Sequence, residues 1–207
     1  MKVSMKGIVK SFGANDVLRQ VDFTVQGGEI CALLGENGAG KSTLMNILGG
    51  VIQADQGRID LDGRSVTFHS PAQSLNAGIA FIHQELNLIN DLPVYENMFI
   101  GREIKKRSGF IDHKEELRQT RALFRSLDID IDPMAQVASL DASYKQIVEI
   151  ARALLMKASI IIMDEPTTSL TDPEIERVFD MLRTLKKQNV GVVFISHKLR
   201  EVMEICD

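Results

Sequence analysis

The chain has little of several things, and each scarcity removes a class of protein. It carries two cysteines, Cys31 and Cys206, in 207 residues, too few for a disulfide framework. Cys31 stands in a run that reads as a buried strand, where a thiol acts as a small apolar group, and the compartment expected is a reducing cytosol. No uninterrupted apolar run is long enough to cross a bilayer. The opening Met1-Lys2-Val3-Ser4-Met5-Lys6 has no apolar core of signal-peptide type. The net charge is −4, so no general affinity for nucleic acid is expected. Internal repeats, low-complexity tracts and flexible linkers are missing too. The remainder, 44% hydrophobic and 25% charged, describes a globular chain long enough for one domain with a sizeable core.

Against this plain background one stretch is specific. Gly35-Glu36-Asn37-Gly38-Ala39-Gly40-Lys41-Ser42 matches G-x-x-x-x-G-K-[ST], a phosphate-binding loop. Glycines let backbone N–H groups turn inward and approach anionic oxygens closely. Lys41 brings a point charge to the β- and γ-phosphates, and Ser42 offers a hydroxyl to Mg²⁺, a cation that keeps most of its waters. An apolar strand-like run, Ile30 to Leu34, precedes the loop, and Leu44, Ile47 and Leu48 follow it at helical spacing. A helix starting near Lys41 points its positive end at the phosphates. Four fixed positions arise by accident in about 1% of chains this long, and the flanks lower that further. Nucleotide binding is therefore the first expectation.

The rest alternates between strand-like and helix-like pieces. Val3–Ile8, Val21–Val25 and Ile30–Leu34 read as strands, with a turn at Gly27-Gly28. Phe12 falls in Lys10-Ser11-Phe12-Gly13, expected as a loop, where its ring can stack on an adenine or pack in the core. A helix is expected over 41–49, a strand and turn over 57–63, a short helix over 71–77 and a strand over 79–83. Gln84 then stands just past a strand's carboxyl end, where ligands of parallel sheets sit. It can reach a phosphate or Mg²⁺, or simply cap the strand. Residues 85–112 are the least regular, with a short helix near 94–100. The basic run Lys105-Lys106-Arg107 reads as a solvated loop. Helices are expected over 114–127 and 144–156.

Two further strand ends carry chemistry. Ile160-Ile161-Ile162-Met163 is apolar throughout, as for a central strand buried on both faces, and it runs into Asp164-Glu165. Asp164 can hold Mg²⁺ through a water, and Glu165 can polarise an attacking water. Asp172-Pro173 reads as the N-cap and first residue of a helix over 173–187. Val192-Val193-Phe194-Ile195 is another apolar strand and ends in Ser196-His197, with a last helix from Lys198. His197 shares the sheet edge with Lys41, Asp164 and Glu165. The alternation predicts an α/β fold with a mainly parallel sheet and a helix-rich arm over about 86–156.

Taken together and in this order, these residues resemble the ATP-binding-cassette ATPases over the whole chain. Within that family the stretches 34–45, 82–88, 165–171 and 195–199 are similar to the first cassette of monosaccharide importers of ribose and galactose type. The resemblance implies a P-loop NTPase with a mainly parallel sheet, a small antiparallel β part at the N-terminus and a helical arm, residues 1–207 being one cassette. It implies ATP and Mg²⁺ as cofactors. Phe12 would stack on adenine. Gly35, Asn37, Gly38, Ala39, Gly40, Lys41, Ser42 and Thr43 would hold the phosphates. Ser42, Gln84 and Asp164 would serve Mg²⁺, and Glu165, His197, Lys41 and Gln84 would carry catalysis. The implied partners are integral membrane permease subunits, a second cassette and, through the permease, an extracytoplasmic sugar-binding protein, but no nucleic acid. Residues 85–100 would lie near the permease's coupling helix. The implied place is the cytoplasmic face of a bacterial cell membrane.

Two departures from the family pattern matter. The signature Leu-Ser-Gly-Gly-Gln, which caps ATP held by the opposing cassette, aligns here with Leu140-Asp141-Ala142-Ser143-Tyr144. Asp141 sets a carboxylate where a hydroxyl should meet the γ-phosphate, a repulsion of several kcal/mol unless a proton or cation intervenes. Binding in this chain's own ATP site is expected to survive, with the opposite site weak or idle. The family also continues past Cys206-Asp207 with further strands, and this subgroup with a second cassette. A non-hydrolysing or regulatory nucleotide-binding subunit, or a shortened product, is the alternative to a transport motor. A soluble ATPase of translation or DNA repair fits less well, because 42–164 is too short for a coiled coil and the charge is wrong.

Overall fold

The computed structural model describes residues 1–36 and 38–207. In chain order the elements are β1 (Lys2–Phe12), β2 (Asn15–Gln26), β3 (Ile30–Leu33), α1 (Lys41–Leu48), β4 (Gln56–Leu61), β5 (Arg64–Val66), α2 (Pro71–Asn76), β6 (Ile79–Ile82), α3 (Val94–Phe99), α4 (His113–Ser126), α5 (Ala142–Leu155), β7 (Ile160–Asp164), α6 (Asp172–Lys187), β8 (Gly191–Ile195) and α7 (Leu199–Ile205). They fall into two compact units. One comprises Met1–Gln84, Met156–Pro166 and Leu182–Asp207, the other Glu85–Leu155 and Thr167–Met181.

The first unit holds two sheets. Strands β2, β1, β4 and β5 form an antiparallel sheet in that order. In β1 the buried side chains are Val3 and Met5, two apart, and then Ile8, three further on. The change of phase comes from an irregularity between Met5 and Ile8, where Gly7 takes φ +58°. A single left-handed residue bulges the strand and returns apolar side chains to the core face. The other sheet is wholly parallel, in the order β3, β8, β7, β6. Ile160–Met163 and Val192–Ile195 are fully buried, as strands covered on both faces must be. Leu44, Met45, Ile47 and Leu48 of α1 share one core with Val3, Met5 and Ile8 of β1 and with Ile160 and Ile162 of β7. The helix after the phosphate loop is thus fixed by apolar packing on its inner face.

The second unit is helical. α3 packs on α4 and α5. The stretch before α3 has little regular structure, and one fully buried side chain satisfies several of its backbone groups. Asn97 accepts from Ile89 N–H at 2.7 Å and donates to the carbonyls of Ile89, Leu92 and Pro93 at 3.0, 3.3 and 3.2 Å. A buried amide with both ends occupied holds a loop that no ladder could.

Three local expectations need correction. Lys10-Ser11-Phe12 is not a loop. It ends β1, with Phe12 opposite Asn15, because the chain reverses in a tight turn and the ladder continues through polar residues. β5 was not expected, and it exists because Asp62-Gly63 folds 64–66 back onto 59–61. Asp172 is the first helical residue of α6 rather than its cap. Thr171 precedes it, with its N–H and hydroxyl bonded to Glu174 Oε2 at 2.8 and 2.7 Å. Thr-x-x-Glu is a capping-box spacing, and the Glu side chain reaching back satisfies an N–H that the helix cannot.

Candidate nucleotide site

In a parallel sheet every strand delivers its following residues to one edge. β3 delivers the phosphate loop, β6 delivers His83 and Gln84, β7 ends in Asp164 and runs into Glu165, and β8 leads to Ser196 and His197. Leu33 and Asp164 both pair with Ile195, so the loop strand and the acidic strand flank β8 at matching height. A cavity of 350 Å³ opens there. Gly38, Gly40, Lys41, Ser42 and Thr43 line it from the loop and α1, Asp164 and Glu165 from β7, and Phe12 and Val17 from the antiparallel sheet. Gly35 and Ala39 belong to the same loop, and Asn37 lies outside the described residues.

The loop's geometry follows from its glycines. Gly40 caps α1 with φ +91° and has no side chain to bond the first-turn amides. A Cβ there would stand 2.8 Å from Leu18 Cδ2 and 3.2 Å from Val17 O, so any larger residue both strains the backbone and collides with β2. Lys41 Nζ donates to the carbonyls of Gly35 at 2.7 Å and Glu36 at 3.0 Å, which holds the ammonium across the loop.

The acidic end is electrostatically tense. Burial pushes the Asp164 carboxyl above its ordinary value and the adjacent Glu165 charge pushes it further, while His83 and Lys41 pull the other way. Glu165 takes φ +47°, a left-handed conformation costing a non-glycine residue about 1–3 kcal/mol. Its N–H donates to Ile195 O at 3.0 Å, which ties this turn to β8. Glu165 Oε1 lies 2.9 Å from His197 Nδ1. The imidazole is about half exposed and the carboxylate only 20%. Ser42 and Asp164 offer hard oxygen donors to one cavity. A divalent cation would relieve the unfavourable ionisation of Asp164, so this donor set fits Mg²⁺. Gln84 stands two residues past β6, exposed, and is not among the residues lining the cavity. Phe12 is 51% exposed at the rim, with Lys10 Nζ 5.5 Å from its ring centre.

A family profile described as ABC transporter matches residues 18–168. The chain belongs to that family. Along its whole length this ABC chain is 50% identical to the ribose import ATP-binding protein of Chromobacterium violaceum and 46% identical to that of Lactococcus lactis. It spans 41% and 42% of those proteins, so it matches about two-fifths of the length of its curated relatives. Among solved structures it resembles an ATP-binding cassette of an ABC transporter in its ADP conformation (TM-score 0.87, 28% identity, all of this chain and 85% of the other). A nucleotide-free cassette is similar (TM-score 0.84, 26% identity, 100% and 86% covered). The P-loop NTPase fold expected from the sequence, parallel sheet with a small antiparallel β part, is the one observed.

In this ABC cassette the signature-like residues belong to the helical unit, where Leu140 and Asp141 lead into α5, which begins at Ala142. Asp141 caps the helix, accepting from Tyr144 N–H at 2.9 Å and from the Ser143 hydroxyl at 2.7 Å. Its other oxygen meets Arg177 Nη1 at 2.9 Å, and the same nitrogen donates to Ser143 Oγ at 2.5 Å. The Arg177 guanidinium lies 4.3 Å from the Tyr144 ring centre. Burial pushes the Asp141 carboxyl up, but the bonds from Tyr144, Ser143 and Arg177 and the guanidinium charge outweigh it, and the carboxyl sits below its ordinary value. The cation that Asp141 needs is thus Arg177, thirty-six positions away in sequence. Sequence reasoning missed Arg177, Val17 and His83. No local pattern marks Arg177 or Val17, while His83 could have been found as the first residue past an apolar strand.

Proposed function

We propose that this chain is the ATP-hydrolysing cassette of a membrane importer for a monosaccharide of ribose type, at the cytoplasmic face of a bacterial membrane. The observation that carries the reading is the 2.9 Å pairing of Glu165 with His197 at the lip of a cavity built from the phosphate loop. Identity along the whole chain to ribose import ATP-binding proteins supports the transport role and the sugar class. In this reading residues 1–207 form one cassette with 86–156 as its helical arm.

The loop amides and Lys41 bind the triphosphate, with Phe12 against the adenine. Bound Mg²⁺, held by Ser42 and, through a water, Asp164, would neutralise phosphate charge. Gln84, which stands outside the cavity lining here, would join them only by swinging toward the cavity. Glu165 accepts a proton from the attacking water, and His197 orients the Glu165 carboxylate and contacts the γ-phosphate. The left-handed backbone at Glu165 aims the carboxylate before substrate arrives, which lowers the reorganisation that catalysis requires. The γ-phosphate is closed over by an opposing cassette, and permease subunits with an extracytoplasmic binding protein deliver the sugar.

Arg177 offsets the Asp141 charge, but a carboxylate still stands where the family pattern has a hydroxyl donor. This favours an asymmetric pair in which this chain's own site works and the site completed by Leu140–Tyr144 is weaker. The test is the complex with its permease in proteoliposomes. Wild type hydrolyses ATP when the binding protein and ribose are supplied. Glu165→Gln binds Mg-ATP as tightly and turns over at least 100-fold more slowly. Full turnover in that variant, or no association with any permease, would overturn the proposal.

A further inference from the structure

The stretch 101–125 carries eight Lys and Arg residues against four Asp and Glu, in a chain whose net charge is −4. Each acid in it has a hydrogen-bond partner within the segment, and Glu116 is buried. Glu103 accepts from Gly101 N–H, Asp112 caps α4 through Glu115 N–H, Glu115 holds Arg118 and Gln119, and buried Glu116 accepts from Ile104 N–H. The cations face water. Lys114, Arg118, Arg121 and Arg125 recur at intervals of four, three and four, which sets them in one stripe along α4. All four are exposed, and Lys114, Arg121 and Arg125 form no ion pair among the described residues.

The segment before α4 adds a second feature. Lys105 bridges Ile111, Lys106 N–H donates to Phe110 O at 2.8 Å, and Gly109 N–H closes the turn on Lys106 O at 2.9 Å. This tight turn displays Lys105, Lys106 and Arg107 beside Phe110, whose ring is 76% exposed. Its base is pinned to the start of α4 by Asp112 N–H on Ile104 O and by the Glu116 bond. Cations next to a protruding aromatic, continuous with a cationic helix face, complement a surface that is negative outside and apolar beneath.

We infer that 105–125 is a docking surface for an anionic lipid bilayer, with Phe110 entering the headgroup boundary and the α4 stripe lying along the charged surface. It needs neither nucleotide nor permease. Each Lys or Arg near such a surface contributes about a 5-fold gain in binding, and the sum falls with salt.

The experiment is sedimentation of the purified chain with protein-free vesicles. Phosphatidylcholine vesicles containing about a third phosphatidylserine should bind it, pure phosphatidylcholine should not, and about 0.5 M salt should release it. The triple variant Lys114→Glu, Arg121→Glu, Arg125→Glu should bind at least about 100-fold more weakly. Phe110→Ser should lose about 10-fold while keeping the salt dependence. The variant Lys105→Glu, Lys106→Glu, Arg107→Glu, on an exposed turn, provides the same test where the helix variant is unstable. Nucleotide affinity, read with a fluorescent ATP analogue, should be unchanged in all of them. Equal binding to neutral vesicles, unchanged binding in the variants, or capture of an oligonucleotide without capture of vesicles would each overturn the inference.

Discussion

His197 Nδ1 lies 2.9 Å from Glu165 Oε1, and the two residues are thirty-two apart in the chain. They meet because β7 and β8 are parallel neighbours in register, Asp164 opposite Ile195, so both strands release their next residues at the same level. The Glu165 N–H bond to Ile195 O fixes that level at the carboxyl ends of the two strands. The Glu165–His197 pair, proposed above as general base and orienting group, is thus set by sheet register rather than by a loop.

Removing the imidazole should leave nucleotide binding and stop most chemistry. His197→Ala is expected to lower single-turnover hydrolysis about 100-fold or more in the assembled transporter, with ATP affinity within a factor of a few. Quench-flow beside equilibrium binding separates the two. A drop in affinity alone would show His197 to be a binding residue only.

Asp164 should oppose folding at neutral pH. Its folded carboxyl holds the proton more tightly than the unfolded one. The associated stability is therefore complete below the unfolded carboxyl value and is lost as pH rises through the folded one. Asp164→Asn is expected to melt a few degrees higher than wild type at pH 7 and no higher near pH 3. The same change should remove the Mg²⁺ dependence of ATP binding. A variant that melts lower at pH 7 would contradict the electrostatic reading.

Asp141 separates stability from function. Asp141→Ala loses the cap of α5 and should cost about 1 kcal/mol in urea denaturation. Because the folded carboxyl sits below its ordinary value, the wild-type advantage is present above the unfolded carboxyl value and fades as pH falls through the folded one. Asp141→Ser keeps a capping oxygen, so its stability should lie within a few tenths of a kcal/mol of wild type at pH 7. It should raise ATP turnover of the paired cassettes by restoring a hydroxyl at the opposing site. Unchanged turnover would mean that Asp141 does not limit that site.

Gly40 tests the loop. Gly40→Ala places a Cβ against Leu18 and forces a left-handed alanine, at a cost of about 1 kcal/mol or more. Mg-ATP affinity should fall well over tenfold, measured by competition with a fluorescent nucleotide. Wild-type affinity would show that the loop can shift without losing its phosphate geometry.

The sequence by itself determined the parallel strands, the loop and the strand-end residues. Those signals are local: four apolar residues in a row, a glycine spacing, two acids at a strand's end. Lys41, Ser42, Asp164, Glu165 and His197 could be named because a parallel sheet sends every strand's next residue to one edge, and that rule needs no coordinates. Local composition failed where pairing overrode it, at Lys10–Phe12 and at β5, since a polar segment joins a ladder when its neighbour offers free N–H and C=O groups. Only the tertiary structure decided which groups neutralise one another. Asp141 reads in sequence as a bare charge, and the fold gives it Arg177 from α6. The Lys105-Lys106-Arg107 run reads as a solvated loop, and the fold sets it on an exposed turn beside Phe110, ahead of a cationic helix face whose Glu116 is buried and whose Glu115 is paired with Arg118. Charge has no periodicity that reveals its partner, so the electrostatics of both segments became legible only once the chain had folded.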